Sequence, residues 1–379
     1  MKALCFRSLQ SVSEIAMSID RSIPSTTKLI NELAAEGLAE SVGLGPSTGG
    51  RPALRYSLNL QKLPLILSIA IDQYYCSAAL LNFDHSYFSD IRTIRNPLNE
   101  NDAYVNLLSL IREVLALVDN RKVFAIGVSS PGFVHVEQGI NMSYDEANPF
   151  HHIKRNLEAE FGVQTILEND SATIAIAEKY FGSYQISKDV MVVNLNWGVG
   201  LGMIINGKLF RGHSGFAGEF SHIPLSDRNT LCSCGKRGCL EAEASLLSAI
   251  NYATDAIKRG ENSALQECME TRGYITGESL IDASKRKDSL ALSAIDHIAY
   301  GLGKGLATLI HLINPEHIIL SGRGALLDEI ITKPIESSLQ KYTIERLRMQ
   351  TQFSVSEVEN PQILGGACLA IEHADYAFL

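Results

Sequence analysis

From residue 65 the chain sets out an order of strands and helices that it begins again at residue 190. Residues 65–72 and 76–83 are apolar runs of strand length on either side of a short turn, the pattern of a buried hairpin. Residues 91–94 supply a third strand and 105–118 an amphipathic helix, and strand 123–128 ends in the turn Ser129-Ser130-Pro131-Gly132. Strand 164–168 then leads into Asn169-Asp170-Ser171 and a helix over 172–180. The second cycle opens on strand 190–195, turns at Trp197-Gly198-Val199-Gly200 and returns over 201–205. Apolar strands that alternate with helices cover each other as α/β layers. A plan that occurs twice therefore predicts two α/β lobes around a cleft, with ligands at the strand ends that face it.

A chain of 379 residues is too long for one core, so two or three domains are expected. With 46% hydrophobic and 20% charged residues it is neither disordered nor fibrous. Residues 1–7 lack the apolar core of a signal peptide, and Lys304, His311 and Asn314 interrupt the most apolar later stretch. No membrane insertion and a cytoplasmic location are expected. The net charge of −9 argues against a coat for nucleic acid, yet residues 1–62 carry seven cations against five acids, +2, which leaves −11 for the remainder.

That basic end has its own pattern. Ser11-Val12-Ser13-Glu14 has the form of a capping box, with Ile15, Ala16 and Ile19 as the buried face of the helix it opens. After a polar break at Asp20-Arg21-Ser22, Pro24 suits the first turn of a second helix with Leu29, Ile30, Leu33 and Leu38 inside, closed by Gly37. Its other side shows Ser25, Thr26, Thr27, Lys28 and Asn31, side chains able to reach base edges and phosphates in a major groove. Strand-like runs 38–42 and 54–58 flank a glycine-rich loop tipped by Arg51, a wing whose guanidinium suits a narrow minor groove. The competing reading is a helical module for protein contacts. A winged helix-turn-helix with so modest a charge suits a dimer, which doubles the phosphate contacts.

Residues 218–245, GEFSHIPLSDRNTLCSCGKRGCLEAEAS, gather three of the seven cysteines. Glu219 or Glu241 beside a metal would suit catalysis; a staple that shapes a loop is the alternative, and a redox thiol pair a third. Cys5, Cys76, Cys268 and Cys368 lie apart and read as buried thiols. In a reducing compartment the close trio reads as metal ligands before disulfides.

Taken with Gly49-Gly50-Arg51-Pro52, Glu168-Asn169-Asp170, Gly218-Glu219-Phe220-Ser221-His222 and the run Cys232 to Glu241, the chain resembles the ROK family within the actin-like sugar kinase fold, and in it the NagC/XylR-type repressors. The resemblance spans nearly the whole chain, from the head through Gly322. It implies an α/β protein with an N-terminal winged helix-turn-helix over 1–60, a small lobe over 61–182 completed by a C-terminal helix at 362–376, and a large lobe over 183–361 with the zinc loop and an oligomerisation surface. It implies a closed structural Zn2+ site of His222, Cys232, Cys234 and Cys239. It places Gly132, Asn169, Asp170, Glu219, His222 and Glu241 around a sugar, while Glu243 reads as a surface acid. The implied partners are operator DNA, a sugar or sugar-phosphate effector, a second copy or three more in a homodimer or homotetramer, and in some relatives a protein regulator.

The family also holds ATP-dependent sugar kinases, whose first strand turn is Asp-x-Gly-Gly-Thr. Here that turn reads Asp72-Gln73-Tyr74-Tyr75, with two tyrosines where phosphate needs bare backbone. Asn196-Trp197-Gly198 stands in place of Gly-Thr-Gly, and Ser321-Gly322-Arg323-Gly324 matches the adenosine segment in part. Asp170, the base of a kinase, transfers nothing without a positioned phosphate. The expected function is a sugar-responsive repressor and no enzyme. The alternatives are a sugar kinase with a DNA-binding head and a sugar-binding scaffold whose head contacts protein.

Overall fold

Ser11 and Glu14 close on each other as their spacing requires. The Glu14 amide donates to Ser11 Oγ at 3.3 Å and the Ser11 amide to Glu14 Oε2 at 2.7 Å, which opens helix Val12–Ser18. The computed structural model describes residues 1–7, 9–45, 52–226 and 229–378. Helix Ile23–Ala35 follows, with Ser22 as its cap, Pro24 in its first turn and Gly37 beyond its end at φ +75°. A short strand β1 (Gln10–Ser11) pairs with β3 (Leu54–Leu58), which pairs in turn with β2 (Ala39–Leu44), an antiparallel sheet behind the two helices. Ile15, Ala16 and Ile30 are buried, but Ile19 and Leu29, expected inside, are exposed. Ile19 is the residue at which the chain leaves its helix. Leu29 lies about 60° around the helix from Thr26 and about 100° from Ile30, on the flank of the buried stripe these two form.

Five strands and one hairpin complete the first repeat: β4 (Leu65–Ile71), β5 (Tyr75–Leu81), β6 (Arg92–Arg95), β7 (Val123–Ser130), the hairpin β8 (Val134–His135) with β9 (Ile140–Asn141), and β10 (Thr165–Asn169). The sheet order is β10-β7-β4-β5-β6, with β4, β7 and β10 parallel and the other two antiparallel. The second repeat has β11 (Val190–Leu195), β12 (Val199–Ile205), β13 (Lys208–Leu209), β14 (His317–Ser321) and β15 (Gln352–Val355). Its order, β13-β12-β11-β14-β15, is the same plan: a parallel trio beside an antiparallel pair. The parallel strands are apolar along their length because both faces are covered.

The chain divides into two units, Met1–Thr173 with Asn360–Leu379, and Ile174–Glu359. In the first, helix Pro361–His373 returns from the end of the chain to lie on β4, β7 and β10. Its approach is so close that a Cβ on Gly127 of β7 would stand 2.0 Å from the Gly366 carbonyl oxygen. The same helix joins the head to the sheet: Leu4, Cys5, Ile15, Ile30 and Leu58 share one apolar cluster with Ile66, Phe83, Phe124, Ile363, Ala367 and Ile371. In the second unit helix Ser289–Ile313 is the longest element, capped by Asp288 and ended by Asn314 at φ +50°. Among the described residues no helix is long and apolar enough to cross a membrane.

Gly127 and Gly366 face each other through backbone that no rotamer change can clear. We expect Gly127→Ala to cost about 1–3 kcal/mol or more as overpacking, read as a lower denaturation midpoint, with the first unit losing its protection from hydrogen exchange first.

Candidate metal centre and ligand-facing residues

On helix Ile23–Ala35 the side chains of Lys28 and Asn31 are exposed, and Ser25 and Thr27 are half-buried. Thr26 corrects the expectation. It is fully buried, and its hydroxyl donates back to the Ser22 carbonyl at 3.0 Å, so it holds the helix start and faces no groove. Lys28 stands 3.9 Å from Glu32 in a solvent-exposed pair, weak enough to leave the ammonium available to a phosphate. Arg51 lies outside the described residues.

In the first unit, strand β10 delivers Asn169 and Asp170 to the start of helix Asp170–Phe181. Asn169 caps that helix, its Oδ1 accepting from the amides of Ser171 at 2.9 Å and Ala172 at 3.2 Å. Its Nδ2 donates to the Gly132 carbonyl at 3.0 Å, which brings three expected ligand residues together. Gly132 has φ +97°, and a Cβ there would meet Ser143 Oγ at 2.3 Å. Ser143 accepts from the Phe133 amide at 2.9 Å, and Asn141 Nδ2 reaches Ser130 Oγ at 3.1 Å and the Pro131 carbonyl at 2.8 Å. These two residues shape the loop and were not singled out in the sequence, where nothing marks them as partners of the turn ten residues before. Burial raises the Asp170 carboxyl to about 6, although the Ser171 amide and hydroxyl donate to it; the charge of Asp72 adds a smaller push upward.

In the second unit His222, Cys232, Cys234 and Cys239 present donor atoms that all lie within 4.8 Å of one another. Four donors about 2.0–2.3 Å from one ion in a tetrahedron stand roughly 3.3–3.8 Å apart. Cys234 Sγ and Cys239 Sγ are 3.7 Å apart, and Cys232 Sγ is 3.6 Å from His222 Nδ1, so the set fits such an ion. Gly235 and Gly238, at φ +83° and +77°, let the chain curl around it. The four residues can hold a metal and leave it no open position.

Nδ1 of His222 points to the sulfurs, so Nε2 faces the other way, 3.6 Å from Glu219 Oε2. Glu241 stands in the first turn of the short helix Leu240–Ala244 that follows the loop, its Oε1 accepting from Ser233 Oγ at 3.2 Å. The cluster thus presents Glu219, His222 and Glu241 together. Glu243 departs from its surface reading. It is buried, accepts from Thr230 Oγ1 at 2.9 Å and lies 3.9 Å from His297 Nε2, so it ties the loop to helix Ser289–Ile313. His297 is 54 positions away, and no local pattern links the two.

The two strand turns expected to decide about phosphate are both occupied. In the β4–β5 turn the amides of Tyr74 and Tyr75 donate to Asp72 Oδ1 at 2.7 and 2.8 Å. In the β11–β12 turn Trp197 is 8% exposed, with the Arg323 guanidinium carbon 5.3 Å from its ring.

The sequence profile described as the ROK family matches residues 78–373. A putative xylose repressor of Caldicellulosiruptor sp. is 26% identical over 96% of this chain and 92% of its own. A glucokinase of Halalkalibacterium halodurans is 30% identical over 65% of this chain and 76% of its own. A solved ROK family transcriptional regulator, a homologue of the E. coli MLC protein, superposes with a TM-score of 0.78 at 25% identity, covering 96% of this chain and 91% of that one.

Asp170 provides a test of the site's electrostatics. Its folded value near 6 exceeds the ordinary 3.8, so between those values the folded state binds more protons than the unfolded. The carboxyl therefore costs stability as pH rises through that window. Asp170→Asn is expected to exceed the wild type in urea midpoint above the window and to equal it below; equal midpoints at both ends would mean that the carboxyl is not desolvated.

Proposed function

Since the chain belongs to the ROK family and aligns along nearly its whole length with a putative repressor of that family, we propose that it is a sugar-responsive DNA-binding repressor of carbohydrate-use genes in the cytoplasm, and not a kinase. The observation that carries the choice is the Asp72–Tyr75 turn. A phosphate-binding turn needs amide hydrogens aimed outward and nothing anionic beside them. Here the amides of Tyr74 and Tyr75 point at the carboxylate of their own turn, a pairing that leaves phosphate both fewer donors and a like charge to meet. Without alignment and charge stabilisation at phosphate, Asp170 has no transfer to assist.

In this reading the head, 1–60, meets operator DNA through Ser25, Thr27, Lys28 and Asn31, with Arg51 at the wing. The small lobe, 61–182 with 362–376, contributes Gly132, Asn169 and Asp170 to the sugar, and the large lobe, 183–361, contributes Glu219, His222 and Glu241. Carboxylates and amides suit a sugar because each hydroxyl takes a fixed partner. Zn2+ suits the Cys3His set; it would shape the loop and add no chemistry, and His222 would bind it through Nδ1 and serve the sugar through Nε2. The effector, a sugar or sugar phosphate, acts by binding two states of a homodimer or homotetramer unequally. A protein regulator is a further partner of this kind of molecule.

An operator fragment from the DNA preceding the gene, titrated with and without D-xylose, D-glucose, N-acetylglucosamine and their phosphates, tests the proposal. One sugar is expected to change affinity by about tenfold or more. Lys28→Ala is expected to weaken binding evenly across sequences and to lower the salt slope by about 1, the loss of one phosphate contact. Rapid ATP turnover on any of these sugars, or operator binding that ignores all of them, would overturn the assignment.

A further inference from the structure

The chain has one tryptophan, and it sits in a turn. A hairpin turn more commonly carries small or polar residues, so a buried indole at this place asks for a reason. Trp197 is clamped. The Arg323 guanidinium lies over its ring and is itself fixed by an ion pair to Glu278 at 2.9 Å. On another side it meets Gly277, the first residue of helix Gly277–Lys285, so closely that a Cβ there would stand 2.9 Å from the indole. The turn around it is pinned through backbone: the Asn196 amide donates to the Gly198 carbonyl at 2.9 Å, and the Asn196 carbonyl accepts from Leu246 at 3.0 Å.

What this turn touches is the carboxylate of Glu241. An added Cβ at Gly198 would lie 2.6 Å from Glu241 Oε2, so the bare backbone of Gly198 forms one wall of that carboxylate's seat. The other wall is the metal loop, where Ser233 Oγ donates to Oε1 at 3.2 Å. Moving the turn by a fraction of an ångström would move one wall and leave the other in place.

We propose that Trp197 is a positioning residue for Glu241: its indole, held by Arg323 and Gly277, sets the Asn196–Gly198 turn against which the Glu241 carboxylate is placed for a sugar hydroxyl. This rests on the reading of Glu241 as a sugar ligand. A plain core residue would need only apolar bulk at 197. A positioning residue held by a guanidinium needs an aromatic face.

The test uses the full chain and the sugar panel named above, read by calorimetry in every variant and, in the wild type and Gly198→Ala, which keep the one tryptophan, also by its emission. Trp197→Leu keeps bulk and loses the stack; Trp197→Phe keeps both in part. Expected is a loss of sugar affinity of about tenfold or more in Trp197→Leu, recovered to within about threefold of wild type in Trp197→Phe, with metal content unchanged. Gly198→Ala, which leaves the indole alone and crowds Glu241 directly, is expected to lose affinity by a similar factor, and it decides the matter if Trp197→Leu does not fold. Wild-type affinity in Gly198→Ala, or in a folded Trp197→Leu, would overturn the positioning role while leaving sugar binding intact. Absence of binding by the wild type itself would instead remove the sugar-sensor reading, and this inference with it.

Discussion

The first unit hangs on the return of the last helix. Helix Pro361–His373 can lie on the sheet only because glycines stand on both sides of the contact: Gly365 against the Thr173 carbonyl, Gly366 against Ser68, and Gly127 against Gly366. Ser68, buried in the middle of β4, spends its hydroxyl on the Ile363 carbonyl at 2.7 Å. Backbone packed on backbone gives little room to slide, and a close-packed interior passes displacement on instead of absorbing it.

That helix also carries the head. Lys2 Nζ donates to the Glu372 carbonyl at 2.6 Å and lies 5.0 Å from the Tyr376 ring, while Leu4 and Cys5 enter the cluster that holds Ile363, Ala367 and Ile371. If helix Ile23–Ala35 reads DNA as proposed, a flexible tether would leave it free to reorient whatever the rest of the chain does. Helix Ile23–Ala35 instead buries Ile30 in the same core as strand residues Ile66 and Phe124. Head and sheet then take one orientation together, which, on the function proposed above, is the mechanical condition for a ligand bound at β10 to be felt at an operator.

How far the sequence could be read follows the distance over which each interaction acts. The capping box at Ser11 and Glu14 closes within four residues, and the strand plan is written in alternating apolar runs, so both were legible. The grouping of His222, Cys232, Cys234 and Cys239, which could hold a metal, was legible because its members are close in sequence and chemically distinctive. Thr26 was misplaced because helical position alone does not tell which flank of a helix another element will cover. Glu243 was misread because Thr230 and His297, which bury it, lie on other elements. The helices between residues 246 and 342 pack chiefly on one another, although local signals mark their starts: Ser245 and Asp288 cap two of them, and Thr276 and Ser279 form a capping box before a third.

The repeat gives the two phosphate turns a comparison that neither has alone. β4–β5 and β11–β12 occupy the same place in sheets of the same order, and each turn now carries aromatic side chains: Tyr74 and Tyr75 in one, Trp197 in the other. They were closed by different means. The first folds its amides onto its own carboxylate at Asp72, and the second lays an indole under Arg323. Phosphoryl transfer fails when either turn is lost, so one change would suffice to end it. Hydroxyl recognition has other needs, carboxylates and amides held still, and Asn169, Glu219 and Glu241 are each fixed by a neighbour within their own unit. If the chain is the sensor proposed above, a second closed turn is superfluous for losing phosphoryl transfer but useful for holding Glu241, and this difference would separate decay of an active site from its conversion into a sensor.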